Sequence, residues 1–165
     1  LQNYNTSYHD LEITSLSAAN QEFRCENIQS IDADKSGNLW IGTKNGNIMV
    51  YNNHDNTFRD FTQNCGMIGE AILDIVTDNN DHVWISTNKR ITEFNPKNGA
   101  STNYTPSDGM VVNSFLKHAF HKNSSSGKIF FGGNRGLCSF TPSERLTQQP
   151  KESQVFITDI KINNE

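Results

Sequence analysis

An all-β fold built from repeated four-stranded antiparallel units is what this sequence predicts, on three observations. First, Leu39-Trp40-Ile41-Gly42-Thr43 returns as Val83-Trp84-Ile85-Ser86-Thr87 and, weakened, as Ile129-Phe130-Phe131-Gly132-Gly133. Second, the central aromatics lie 44 and then 46 residues apart, close to one blade of a β-propeller. Third, the flanking strands and turns recur with the core, and no stretch holds helical apolar spacing beyond a turn or two.

Taken in order, each unit opens with a short apolar strand: Ile28 to Ile31, Ile72 to Val76, and Phe115 to Ala119. A polar turn follows, Asp34-Lys35-Ser36-Gly37-Asn38, then Asp78-Asn79-Asn80-Asp81-His82, then Asn123-Ser124-Ser125-Ser126-Gly127. Gly, Asn and Asp suit the left-handed backbone positions of tight hairpins. The aromatic core strand comes next. A second turn then leads to a third strand, Lys44-Asn45-Gly46 before Ile48 to Tyr51, Asn88-Lys89-Arg90 before Ile91 to Phe94, and Asn134-Arg135-Gly136 before Leu137 to Phe140. Fourth strands are expected at Phe58 to Phe61 and Thr102 to Tyr104. Applied upstream, the same ruler puts a third-strand end at Leu1 to Tyr4 and a fourth strand at Ile13 to Leu16.

The units divide the chain as follows: 1–26, the second half of a preceding blade and a linker; 27–62, a full blade; 63–105, a full blade with its connecting loop; 106–149, a final three-strand blade; and 150–165, the start of another domain. About three and a half blades cannot close a ring, because propellers close at roughly four to eight. Open sheet faces and edges invite association. The expected partners are therefore the remaining blades of a longer parent chain, or a second copy in a homodimer.

Charge and composition remove other classes. The chain has 14 Lys+Arg against 18 Asp+Glu over 165 residues and no basic run, so the footprint of nucleic-acid binding is missing from this segment. No apolar stretch reaches the roughly 20 residues of a membrane span. Beginning at Leu1 without a targeting segment, the chain reads as a processed product or an excised piece, and its terminus does not reveal a compartment. Cys25, Cys65 and Cys138 have neither disulfide-framework nor zinc spacing. They read as small buried or half-buried thiols.

Residues 34–52 carry the pattern in its fullest form: an Asp-rich turn, Gly37-Asn38-Leu39-Trp40-Ile41-Gly42-Thr43, Asn45-Gly46, and a strand ending in Tyr51-Asn52. This resembles the regulator-propeller repeats in periplasmic sensor regions of Bacteroides-type hybrid two-component proteins. Phe130 to Leu137 with Phe140-Thr141-Pro142 is similar to that family's last blade, and Val155 to Asn164 to the first strand of its immunoglobulin-like β-sandwich. The resemblance implies an extracytoplasmic part of an inner-membrane sensor histidine kinase. By that resemblance the segment would recognise a glycan or oligosaccharide and control polysaccharide-utilisation genes. Kinase, receiver and DNA-binding activities would belong to the parent. The rival readings are a propeller-scaffold enzyme, a lyase or hydrolase, and a protein-interaction scaffold.

Trp40 and Trp84 could stack on sugars, but an identical repeat position inside an apolar strand favours a place between neighbouring sheets. Asp32-Ala33-Asp34-Lys35-Ser36-Gly37-Asn38 resembles half a calcium loop. The twelfth position, Thr43, lacks the bidentate acid such a loop needs, and turn capping explains the acids better. Of five histidines (His9, His54, His82, His118 and His121), the His118/His121 pair invites a metal reading with Cys138. On a regular strand those rings would face opposite ways unless a bend intervenes. No nucleophile elbow or paired acids stand out, so no catalytic residue, metal or cofactor is expected.

In a propeller, the second-to-third-strand turns and the connections between blades emerge on one face. Here they hold Lys44, Asn45, Asn64, Glu70, Lys89, Arg90, Asn113, Asn134 and Arg135. These are the candidate ligand-binding residues. The cations in each second-to-third-strand turn (Lys44, Lys89 with Arg90, Arg135) favour an acidic saccharide.

Overall fold

The structure, a computed structural model, describes residues 27–110, 112 and 114–142, and the backbone of two short strands before them. Those two are β1 (Tyr4–Asn5) and β2 (Glu12–Ile13), paired antiparallel with Tyr4 opposite Ile13. This is the pairing expected of a blade's last two strands. The first full sheet runs β3 (Ile28–Ala33), β4 (Leu39–Thr43), β5 (Ile48–Asn52), β6 (Thr57–Asp60) in spatial order. The second runs β7 (Asp74–Thr77), β8 (Val83–Ser86), β9 (Ile91–Asn95), β10 (Ala100–Tyr104), and the third β11 (Phe115–Lys122), β12 (Ile129–Gly133), β13 (Gly136–Phe140). All pairs are antiparallel. The fold is all-β, made of propeller blades. The strand expected at Val155 to Ile162 lies outside the described residues, as does Cys25.

Strands β3, β10 and β11 run two or three residues longer than expected, and two other boundaries shift for a visible physical reason. Ile72 precedes β7 because its N–H donates to Thr43 O of the previous sheet at 3.1 Å. Phe61 follows β6, where Asp60 Oδ1 accepts the Thr62 N–H at 2.8 Å and turns the chain.

The repeated core residues fill the seams between sheets. Trp40, 3% exposed, meets Phe61 at 5.3 Å and Phe94 of the next sheet at 6.0 Å between ring centroids. Trp84, fully buried, meets Tyr104 at 6.0 Å and Phe140 of the next sheet at 4.4 Å. Each Trp thus packs on the aromatic that ends the third strand of the following blade, which explains why that aromatic repeats. Ile48, Val50, Ile75, Val83 and Ile85 complete the first seam; Val76, Ile91, Val112, Phe115, Ile129 and Phe131 complete the second. Burying such side chains contributes roughly 1.5–3 kcal/mol each.

The polar turn residues repeat a clasp. Asp34 Oδ1 accepts the N–H groups of Ser36 and Asn38, both at 2.9 Å, while Oδ2 accepts Trp40 Nε1–H at 3.3 Å. Asp78 does the same for Asn80, His82 and Trp84 Nε1, at 2.7, 3.0 and 3.0 Å. Asn123 takes Ser125 and Ser126, both at 3.0 Å. Asp34 is committed to its own turn, and Asp32 Oδ2 accepts Thr77 Oγ1–H at 2.8 Å across the seam. The acids of the half calcium loop are therefore turn and seam residues.

Candidate functional site

One end of the sheets gathers the expected loops. At this end the Lys44 N–H donates to Asn27 O at 2.9 Å and the Asn134 N–H to Ser114 O at 3.0 Å, which ties the first and third of the second-to-third-strand turns to the start of their own inner strands. The turns are rigid by construction. Buried Thr43 Oγ1 accepts the Asn47 N–H at 3.0 Å, and Thr87 Oγ1 the N–H groups of Lys89 and Arg90 at 3.2 and 3.3 Å. The Thr that closes the aromatic core motif is thus a turn clamp.

Lys44, Asn45, Asn64, Lys89, Asn134 and Arg135 are exposed on these loops. Asn113 lies outside the described residues. Glu70 and Arg90 sit differently from the others. Arg90 Nη2 pairs with Glu70 Oε1 at 3.0 Å and also donates to Gly66 O at 2.9 Å, while Thr87 Oγ1–H donates to Glu70 Oε2 at 3.2 Å. Their side chains are only 19% and 26% exposed. They brace the 61–73 connection against the β8–β9 turn, so of the expected cations Lys44, Lys89 and Arg135 are the exposed ones.

The histidine pair also differs from a regular strand, because the bend is present. Phe115 pairs with Gly133 and Phe120 with Phe131, so five residues of β11 step past two of β12. In β3, Ile28 pairs with Thr43 and Ile31 with Ile41, so three step past two. β11 thus carries an enlarged bulge. It starts at the end of the sheet where Asn134 and Arg135 lie, and it exposes Leu116, Lys117 and His118. His118 takes a left-handed φ of +60°, unusual for a residue with a side chain. Its N–H donates to Asp74 Oδ1 at 3.0 Å, and its Nδ1 lies 3.9 Å from that oxygen. Among the described residues no three His, Cys, Asp or Glu side chains converge as metal ligands. The sequence did not single out Lys117, and it raised His118 only as a possible metal ligand. The signal for them was the 46-residue spacing of the last aromatics where 44 was the norm.

Burial pushes the Asp74 carboxyl up, with the His118 N–H, the His118 ring and Lys117 opposing. The folded state thus holds its proton to a higher pH than the unfolded chain, whose aspartates titrate near about 4. Stability from this group is full below that value and is lost as pH rises through the raised one. Asp74→Asn keeps an acceptor for the His118 N–H. Its melting temperature relative to the unsubstituted protein should be most favourable at pH 7 and decline steadily toward pH 4. A difference that does not change with pH would refute a buried Asp74 charge. Burial also pushes the Cys65 thiol up to about 12, so it is no nucleophile at neutral pH.

These features define the class: propeller blades presenting rigid, cation-bearing turns at one end. The comparisons place the repeat more closely. The family described as "Two component regulator propeller" matches residues 22–45. Histidine kinase P4 of Formosa agariphila is 27% identical over 103 residues, covering 62% of this chain and 7% of that protein. The extracellular domain of a hybrid two-component system from B. thetaiotaomicron superposes with a TM-score of 0.51 at 18% identity, over 90% of this chain and 29% of that one. A second such domain from the same organism gives 0.57 at 18% identity, over 79% and 17%. PorZ, a type-IX secretion component of Porphyromonas gingivalis, gives 0.55 at 18% identity, over 69% and 17%. The chain spans under a third of the length of each of these relatives. Residues 22–45 thus match the two-component regulator propeller repeat, and the sheets share the fold of these solved propeller regions.

Proposed function

We propose that this chain is a ligand-sensing propeller segment of the extracytoplasmic region of a hybrid two-component histidine kinase, and that its turn-bearing end recognises a saccharide. The observation that carries the reading is that Lys44, Lys89 and Arg135 are exposed on turns held by Thr43, by Thr87 with the Arg90–Glu70 brace, and by the Asn134 N–H bond to Ser114 O. Side chains on rigid turns lose little freedom on binding. Amide and charged groups there suit hydroxyl-rich or acidic ligands. The similarity to a histidine kinase and to extracellular sensor domains supports the location and the parent activity. Signalling requires that ligand bind one arrangement of the parent better than another, since leverage cannot exceed that difference.

A thermal-shift screen against neutral and acidic oligosaccharides tests it. A ligand bound only by the folded state raises the melting point with concentration, by about 2.7 kcal/mol of stability at a hundredfold excess over Kd. One saccharide class should do so. No shift across the panel would refute the saccharide reading and favour a protein partner.

A further inference from the structure

The enlarged bulge of β11 has features that packing alone does not call for. Asn27, just before the smaller bulge of β3, is also left-handed (φ +59°), but among the described residues only His118 is held so by a hydrogen bond to a buried acid, Asp74. Asp74 is fully buried, and its second carboxylate oxygen has no hydrogen-bond partner among the described residues. A strained residue backed by an incompletely satisfied buried acid marks a place where conformation is maintained against local preference. The bulge is exposed. The His118 side chain is 65% exposed, Leu116 51% and Phe120 37%, and Lys117 is exposed beside them. Of the elements packed on β11, β7 contributes only the Asp74 carboxylate, and β12 has no ionisable residue. The outward surface of the bulge is therefore cationic with apolar flanks.

We propose that the β11 bulge is a contact element for an acidic sugar, in which Lys117 and the His118 imidazole N–H take the sugar carboxylate while Phe120 covers its apolar ring face. This rests on the saccharide reading above and adds to it a subsite and a ligand class. A charged-group hydrogen bond from each side chain orients the carboxylate, and an aromatic face suits the C–H surface of a pyranose ring. Asp74 is a positioning residue: it fixes the backbone of His118 and does not touch ligand.

The test is calorimetric titration of the full chain with trisaccharides of galacturonate and glucuronate, each beside its methyl ester. The unsubstituted protein should prefer the acid form by about tenfold. Lys117→Gln should remove most of that preference and leave affinity for the ester within twofold. His118→Gly suits the left-handed backbone at least as well as histidine, so folding is retained, and it should act like Lys117→Gln. Variants that keep the full preference would overturn the proposal. Equal affinity for acid and ester in the unsubstituted protein would overturn the acidic subsite and leave the saccharide reading standing. Binding of neither form would overturn the acidic subsite, and the saccharide reading would then rest on the neutral members of the thermal-shift panel.

Discussion

Trp84→Ala should cost about 3–5 kcal/mol, the range for deleting a large buried aromatic. The indole is fully buried in the seam between the second and third sheets, 4.4 Å from Phe140 and 6.0 Å from Tyr104 between ring centroids. Removing it opens a cavity beside Val76, Ile91 and Phe131. It also strips Asp78 Oδ2 of the Nε1–H donor 3.0 Å away, leaving a buried acceptor unpaired. Domains of this size hold only about 5–15 kcal/mol in total, so the urea midpoint should fall steeply. Trp84→Phe retains most of the packing and should lose about half as much, chiefly through the hydrogen bond and the smaller ring. If Trp84 were instead a sugar-stacking platform, the Ala variant would lose ligand while its midpoint stayed put.

Gly46→Ala should be nearly as damaging, at about 3 kcal/mol or more. Gly46 has φ +85°, and an added Cβ would stand 2.5 Å from Met67 O and 2.7 Å from Glu70 O. Those atoms are backbone, and they belong to the connection that Arg90 and Glu70 brace. The substitution therefore adds left-handed strain and a steric clash, and it should displace the loop that carries Asn64. Gly37→Ala is the matched control, with φ +79° but nothing within 4 Å of the added atom. It should cost only about 1 kcal/mol. Equal midpoints for the two variants would show that the 61–73 connection yields freely, against its role as a rigid platform.

Much of the fold was legible because a propeller writes its register as a repeat. One Trp position, one clasping Asp and one turn Thr recur at the spacing of a blade, and each was found in the same structural job. The less legible parts depend on what a residue meets across a seam. Nothing local distinguishes Arg90 from Lys89, yet one is tied to Glu70 and Gly66 O while the other is exposed. Ile72 looks like strand, but its N–H belongs to Thr43 of the preceding sheet. The bulge of β11 hid in an apolar run that reads as regular strand, and only the longer last repeat betrayed it.

Hydrogen exchange of the chain with and without a saccharide that raises its melting point would test the ligand-binding end most directly. Binding there predicts slowed exchange in the turns at 44–47, 88–90 and 134–136 and in the 63–71 connection, with the opposite turns at 34–38, 78–82 and 123–127 unchanged. Protection confined to those opposite turns, or spread evenly over both ends, would contradict it.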